Sequence, residues 1–474
     1  MSETLVTAAP QASVEQRAGG RALAAVLAAV GIPMFMVTLD NLVVTNALPV
    51  IRTELGASLA DLQWFVNAYT LAFASLLLTA TSVGDRLGRR RVFLAGIAIF
   101  TVASAACALA TEPWMLIAAR AIQGFGAAAV MPLSLTLLSS AVPEKMRSAA
   151  IGIWGGISGL GVALGPLIGG AVVEGLSWQW IFWVNVPIGV LVLPFAARVL
   201  TESHGRAKRL DPLGLVLSAG GVLAVVWGVI HGADDGWTST GVLTALIGGA
   251  LLLGLLIAWE LRTPDPMLPL RLFRSRAFRV SNTTVFTFSV GVFGSIFLLA
   301  QYFQVVQGFG PLQSGIRTMP WTMAPMVVAP LAGLIVDRVG ARNLLTAGQA
   351  LLAVALAWMA AVASVDASYV AFVGPFLLGG IGMGLTFAPG ATVVMASASP
   401  EDRAMASGTN STIREVGVAM GVAVLASVFA SHGSYTDPQS FVDGLIPAVW
   451  VGATIVAVGA VLSRLLPSRI TAVD

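Results

Sequence analysis

A chain of 474 residues in which 57% are hydrophobic and only 10% are charged lies outside the composition of water-soluble domains, where about a quarter of residues carry charge. The net charge of +3 is too small to indicate a nucleic-acid partner, and the basic residues sit in short loops and form no single patch. The lone Cys107 forbids an intrachain disulfide, and the apolar runs are continuous where a porin-like barrel would need alternation.

Residues 1–21 mix Glu3, Glu15 and Arg17 without a short apolar core and cleavage site. They read as a cytoplasmic tail, not a removable signal peptide. About 20 mostly apolar residues cross a bilayer, and apolar runs bounded by charge, Gly or Pro predict helices at 22–48, 61–83, 92–110, 114–139, 148–173 and 179–198. After the polar stretch Thr201 to Asp211 come two more, at 212–231 and 239–258, and then the charged segment Glu260 to Arg279. The last group is 280–305, 313–336, 343–362, 367–393, 404–430 and 441–465. The expected fold is an all-α membrane protein of fourteen transmembrane helices in a 6+2+6 order. A first six-helix bundle spans 22–198, two inserted helices with their flanking loops span 199–279, a second bundle spans 280–465, and 466–474 is a second cytoplasmic tail.

Basic residues mark cytoplasmic loops. They alternate along the chain: Arg86, Arg89, Arg90 and Arg91; Lys145 and Arg147; Arg198, Arg206, Lys208 and Arg209; Arg262, Arg271, Arg274, Arg276 and Arg279. The intervening loops carry Glu54, Glu112, Glu174, Asp234, Asp235, Asp366 and Asp437, with Arg52 as the clearest basic exception. Both termini are therefore expected in the cytoplasm.

An internal repeat supports the two bundles. TSVGDRLGRR at 81–90 aligns with GLIVDRVGAR at 333–342, so that Asp85, Arg86, Gly88 and Arg90 fall on Asp337, Arg338, Gly340 and Arg342. The same offset carries Gly165 and Gly169 onto Gly417 and Gly421. Two related bundles facing each other are the architecture of a transporter with its site near the bilayer midplane.

The 81–90 segment resembles the loop motif of the major facilitator superfamily, usually written G-x-L-A-D-R-x-G-R-K, with Thr81 and Gly84 departing from it. LIAARAIQGFG at 116–126 and GVALGPLIGG at 161–170 are similar to that superfamily's helix 4 and helix 5 motifs, the second typical of antiporters. LDNLVVTNALP at 39–49 resembles the first-helix motif of its fourteen-helix drug:proton antiporters, and WIFWVNVP at 180–187 and SGTN at 407–410 also fit. The resemblance implies a multidrug-type exporter in a bacterial inner membrane, driven by a proton gradient and needing no cofactor.

Each charge inside the membrane costs roughly 2.5 to 3.5 kcal/mol on insertion scales. Asp40, Arg120, Arg414 and Glu415 are the clear cases. Asp40 lies nine residues before Pro49 and Arg120 six after Trp114, which at about 1.5 Å per residue gives them one depth. A carboxylate in an apolar cavity is pushed toward its neutral form, and a guanidinium or water pulls it back. A helix motion that trades these surroundings moves a proton, and the resemblance independently implies proton coupling for Asp40 and Arg120. Glu415 is a second candidate near the midplane, with Arg414 about 100° around the helix and not a necessary partner.

Asp85, Arg86, Gly88 and Arg89, with Asp337, Arg338, Gly340 and Arg342, are expected to form ion pairs that shut one face of the bundle and break on switching. Gly161, Gly165 and Gly169, beside Pro166 and Gly170, form a small-residue face suited to close helix packing; the resemblance implies that it seals the path against leak. Asn46, Tyr69, Gln123, Trp154, Tyr302 and Phe387 are candidate cavity residues, the aromatic ones because their faces attract lipophilic cations.

His204, His231 and His432 lack metal-ligand spacing, and no phosphate-binding G-x-x-x-x-G-K-[ST] loop is found. No nucleophile–base pairing suggests an enzyme. The expected function is proton-coupled efflux of amphipathic, lipophilic or cationic small molecules by a monomer. A dedicated exporter of one metabolite or antibiotic, a proton-coupled importer, and a receptor or scaffold remain as alternatives.

Overall fold

The computed structural model describes residues 9–142, 144–204, 211–232, 235–264, 266, 270–398 and 403–467. The helices are α1 (Ala9–Leu55), α2 (Leu59–Leu87), α3 (Arg89–Ala108), α4 (Pro113–Ala141), α5 (Glu144–Gly175), α6 (Trp180–Trp183), α7 (Asn185–Val199), α8 (Pro212–Gly232), α9 (Thr240–Glu260), α10 (Arg276–Val305), α11 (Pro311–Val339), α12 (Ala341–Val362), α13 (Val370–Ala396), α14 (Arg403–His432) and α15 (Pro438–Ser463). Each apolar run read from the sequence falls on this series, with three differences. The run 179–198 is divided at Val184 into α6 and α7; Pro187 has no amide proton to continue the ladder back to Trp183. Helix α1 already begins at Ala9, within the expected tail, because Ala, Gln, Glu and Arg favour helix beyond the bilayer. Residues 1–8 and 468–474 of the expected tails lie outside the described residues.

The third difference is the number of crossings. Among the described residues twelve helices are long and apolar enough to span a membrane, or thirteen when the bent pair Leu59–Leu77 and Thr79–Leu87 is counted as one span. The described residues thus account for twelve or thirteen of the expected fourteen crossings. Helices α6 and α7 together count once, as Trp180–Val199, and in α5 the described apolar stretch runs only from Leu164 to Gly175, because the side chains of residues 162 and 163 lie outside the described residues.

The two repeats pack alike. Helix α1 lies against α5 as α10 lies against α14, α2 against α4 as α11 against α13, and α3 against α4 as α12 against α13. The halves meet through two equivalent seams, α5 with α11 and α14 with α2. Helices α8 and α9 pair with each other, and α8 covers the α2–α14 seam through Val226, Val229 and Ile230 against Leu71, Ala419 and Ala423. The repeated glycine of the loop motif has a local cause. Gly88 (φ 110) ends α2 and begins α3, and Gly340 (φ 87) does the same for α11 and α12. Both take the left-handed side of φ, where a Cβ is strained.

Candidate functional site

A cavity of about 640 Å³ lies between the halves. Thr38, Asn41 and Thr45 of α1 and Tyr69 and Phe73 of α2 line one side; Phe293 and Phe297 of α10, Met326 of α11, Met383 and Phe387 of α13, and Arg414 and Glu415 of α14 line the other. Glu415 is only 5% exposed, and its Oε1 accepts from Arg414 Nη2 at 2.9 Å and from Nε at 3.2 Å. The sequence reading left these neighbours as unnecessary partners because their Cα–Cβ directions diverge by about 100°. The long, flexible arginine stem curls back far enough to close the pair.

Behind the α1–α2 wall sits a closed polar cluster. The Arg120 Nη1 donates to Asp40 Oδ2 at 2.5 Å, with the side chains 0% and 1% exposed. Gln123 Nε2 and Asn185 Nδ2 each donate to Asp40 Oδ1 at 2.9 Å. The guanidinium is held further by Gln123 Oε1 at 2.6 Å and by the Phe65 carbonyl at 3.0 Å from Nε. Gln123 Nε2 also donates to Ser104 Oγ at 2.8 Å. These bonds satisfy the carboxylate as a buried ion pair requires, while Arg120 Nη2 is left without a hydrogen-bond partner among the described residues. Tyr69 joins the cluster to the cavity: its ring lines the cavity wall, and the Arg120 guanidinium carbon stands 4.2 Å from the ring centroid.

One end of the molecule is sealed by contacts between the halves. Asn46 Nδ2 donates to the Pro166 carbonyl at 3.1 Å and, across the seam, to the Pro311 carbonyl at 3.0 Å. Gln304 Nε2 donates to the Asn46 carbonyl at 2.8 Å, and Arg52 of α1 stacks on Tyr435 in the α14–α15 connection, 4.0 Å from its centroid. Burial holds the Tyr435 hydroxyl in its neutral form by raising its pKa.

With this geometry in hand, the family model for the Major Facilitator Superfamily matches residues 30–422 and 318–471. The chain belongs to the major facilitator superfamily. It is accordingly a multi-pass membrane transporter and not an enzyme. It is 39% identical over 412 residues to the multidrug resistance protein Stp of Mycobacterium tuberculosis, covering 86% of this chain and 76% of that one. It is 33% identical over 425 residues to the tetracenomycin C resistance and export protein of Streptomyces glaucescens, covering 89% and 79%. In fold it resembles the crystal structure of a bacterial homolog of the human lysosomal transporter Spinster in its inward-facing, unoccupied conformation. That likeness has a TM-score of 0.67 at 17% identity over 94% of this chain and 97% of that one.

Within this superfamily fold the expected site residues separate into groups. Asp40 and Arg120 meet, Tyr69 and Phe387 line the cavity, and Arg414 and Glu415 enter it. Four expected cavity residues lie elsewhere. Gln123 is wholly buried in the Asp40 cluster, and Asn46 works in the seal and borders only an adjoining pocket of about 60 Å³. Trp154 donates to Ser134 Oγ at 3.0 Å against the core of the first half. Tyr302 is fully buried between Phe303 and Phe372, its hydroxyl donating to the Ser364 carbonyl at 2.6 Å. Depth along a helix was legible in the sequence; direction around it decides which side chains reach a cavity.

The loop motif also differs from expectation. Asp85 pairs with Arg89 of its own half at 2.7 Å, across the Gly88 break between α2 and α3, while Arg86 and Arg338 are exposed and Arg342 is half-buried. The Asp337 side chain lies outside the described residues. The start of α3 is held by Glu202, which accepts from the Arg90 amide at 2.9 Å. Of the glycine face, Gly161, Gly165 and Gly169 press α5 onto Thr38, Leu42 and Val43 of α1, whereas Gly170 meets Pro311 of the other half. Sequence reasoning gave no role to Asn185, Ser104 or Glu202; Asn185 stands inside WIFWVNVP, and that string was the available signal.

Proposed function

We propose that the chain is a proton-coupled exporter of amphipathic small molecules, lipophilic or cationic, working by alternating exposure of the cavity between its two halves. The observation that carries this reading is the connection from cavity to buried acid. Tyr69 forms part of the cavity wall on one face and stacks on Arg120, which holds Asp40. A substrate pressing on Tyr69 displaces the guanidinium, and Asp40 then exchanges its cationic partner for a proton. The cavity's aromatic and Met lining suits an apolar body, and the Arg414–Glu415 pair offers an acceptor to a substrate cation. The resistance and export functions in the names of the relatives support efflux.

In this reading the fourteen helical segments cross the inner membrane of a bacterium in the 6+2+6 order, with bundles at 22–198 and 280–465, both termini in the cytoplasm, and a monomer as the working unit. The sealed end faces outward and the cavity faces the cytoplasm. No cofactor is required: one proton falling through about 150 mV releases roughly 3.5 kcal/mol, equivalent to about 2.5 decades of substrate gradient.

The test uses inside-out vesicles carrying a pH gradient, challenged with lipophilic cations, neutral drugs and anions. Cations or neutral amphipaths are expected to collapse the gradient, and Asp40→Asn to abolish this while substrate binding persists. Gradient collapse by anions alone, or an unaltered response in Asp40→Asn, contradicts the proposal.

A further inference from the structure

The internal repeat exposes an asymmetry at the sealed end. The first helix after each bundle's opening helix is α2 in one half and α11 in the other. Helix α2 carries its own N-terminal cap: Ser58 Oγ accepts from the Asp61 amide at 3.1 Å, and Asp61 Oδ2 accepts from the Ser58 amide at 2.9 Å. The offset that carries Asp85 onto Asp337 carries Ser58 onto Gly310 and Asp61 onto Gln313. Helix α11 therefore starts at Gly310 with Pro311 next, without a side-chain cap of its own and without an acid in its first turn. A helix start leaves amide donors in need of acceptors and carries a partial positive charge.

The missing acceptor comes from the opposite half. Glu174, in the last turn of α5, accepts from the Leu312 amide at 3.0 Å through Oε2, and Leu312 is the second residue of α11. Gly310 leaves room for this: a Cβ there would lie 2.6 Å from Glu174 Oε2, so a serine or aspartate in the position equivalent to Ser58 would require the incoming carboxylate to shift. The backbones are brought together on the same side by two more glycines. A Cβ on Gly170 would run into the Pro311 carbonyl, and one on Gly315 into the Pro166 carbonyl.

We infer that Glu174 is a gate-positioning residue, a helix cap supplied in trans that exists only while this end is shut. The inference rests on the alternating-exposure reading above. The local cap of α2 is present in every state and favours none of them. The cap of α11 is lost when the halves part, so its whole contribution stabilises the closed end.

The full chain in lipid nanodiscs carries nitroxides through Thr53→Cys and Asp366→Cys, exposed positions at the sealed end of opposite halves, and pulsed dipolar spectroscopy reads the distance populations. Glu174→Ala is expected to raise the ratio of long to short distances about fivefold, the equilibrium equivalent of losing a typical N-cap. Gly310→Asp added to Glu174→Ala restores a cap to α11 from its own half and is expected to leave the raised ratio in place. An unchanged ratio in Glu174→Ala overturns the inference. So does recovery of the closed population by Gly310→Asp, which would reduce Glu174 to ordinary helix stabilisation. A single short distance in every protein, including Gly170→Leu in which the seam is forced apart, overturns the two-state reading itself.

Discussion

Asp40 accepts three hydrogen bonds from Arg120, Gln123 and Asn185 in a site closed to solvent, so the pair's energetics are set by what remains when one member is removed. Arg120→Leu leaves a buried carboxylate with only amide donors, a loss on the order of 3 to 5 kcal/mol. Adding Asp40→Asn to that variant removes the uncompensated charge and is expected to recover a substantial part. Thermal melts of the two single variants and the double variant in detergent check this, and simple additivity would contradict it. A second residue-scale prediction concerns Asp437, which caps α15 by accepting from the Ser440 amide at 2.9 Å and from Thr436 Oγ1 at 3.1 Å. These bonds hold its carboxyl below the usual range, the Ser440 amide being the largest cause. Because the folded pKa is the lower one, the cap's stabilisation is fully present above the unfolded value of about 4 and is lost as pH falls through the folded value. The stability difference between the protein and Asp437→Ala is therefore expected to be constant from pH 7 to 5 and to shrink toward pH 3. Asp40 and Arg120 were legible because charge in an apolar run has no cheap explanation. Asn185, which costs far less to bury, gave no such signal, although it touches the same carboxylate.

At the scale of elements, α5 shows how one glycine-rich helix makes two different contacts. Added Cβ atoms at Gly165 and Gly169 would stand 2.8 Å from Leu42 Cβ and 3.1 Å from Val43 Cα, both close to α1's backbone and unable to swing aside. The repeat preserves this function: Gly417 and Gly421 bring α14 onto Ser289 and Val290 of α10. Gly169→Ala is thus expected to cost about 1 to 3 kcal/mol through overpacking. At Gly390 the nearest atom is Leu345 Cδ2 at 3.7 Å, and Gly390→Ala is expected to be neutral or mildly stabilising in the same melt. The four-residue spacing made the packing face readable in advance. It could not assign the faces to partners, since α1 and α11 lie on different sides of α5 and only the assembled bundle sets those sides. The same limit applies to the break at Val184, where Pro187 was visible but its effect on a run otherwise long enough to cross was not.

At the scale of the whole molecule, two halves share a packing plan while only one keeps the buried chemistry. The repeat offset carries Asp40 onto Val292 and Arg120 onto Phe372, both fully buried and apolar. The second half instead contributes Glu415 and Arg414 at the cavity wall. The helices between them, α8 and α9, touch the rest through α8, which bridges α2 of one half and α14 of the other. In a bilayer the surfaces uncovered by removing this pair meet lipid, not water, so the loss is one of packing and not of hydrophobic burial. The strong constraint is topological. Arg271, Arg274, Arg276 and Arg279 precede or open α10, and in the orientation proposed above they would hold its start on the cytoplasmic side. Excising the pair from Pro212 to Glu260 removes two crossings and leaves that basic cluster on the side it already occupies. Excising α8 alone removes one crossing and forces either the cluster outward or the second half upside down against the first. The pair deletion is therefore expected to insert with its C-terminal tail on the same side as the full protein, at reduced thermal stability. The single deletion is expected to fail to accumulate. A C-terminal reporter tested for protease access in right-side-out and inside-out vesicles decides between them: normal accumulation of the single deletion, or a C-terminus that changes sides in the pair deletion, would show that basic loop charge does not orient this chain.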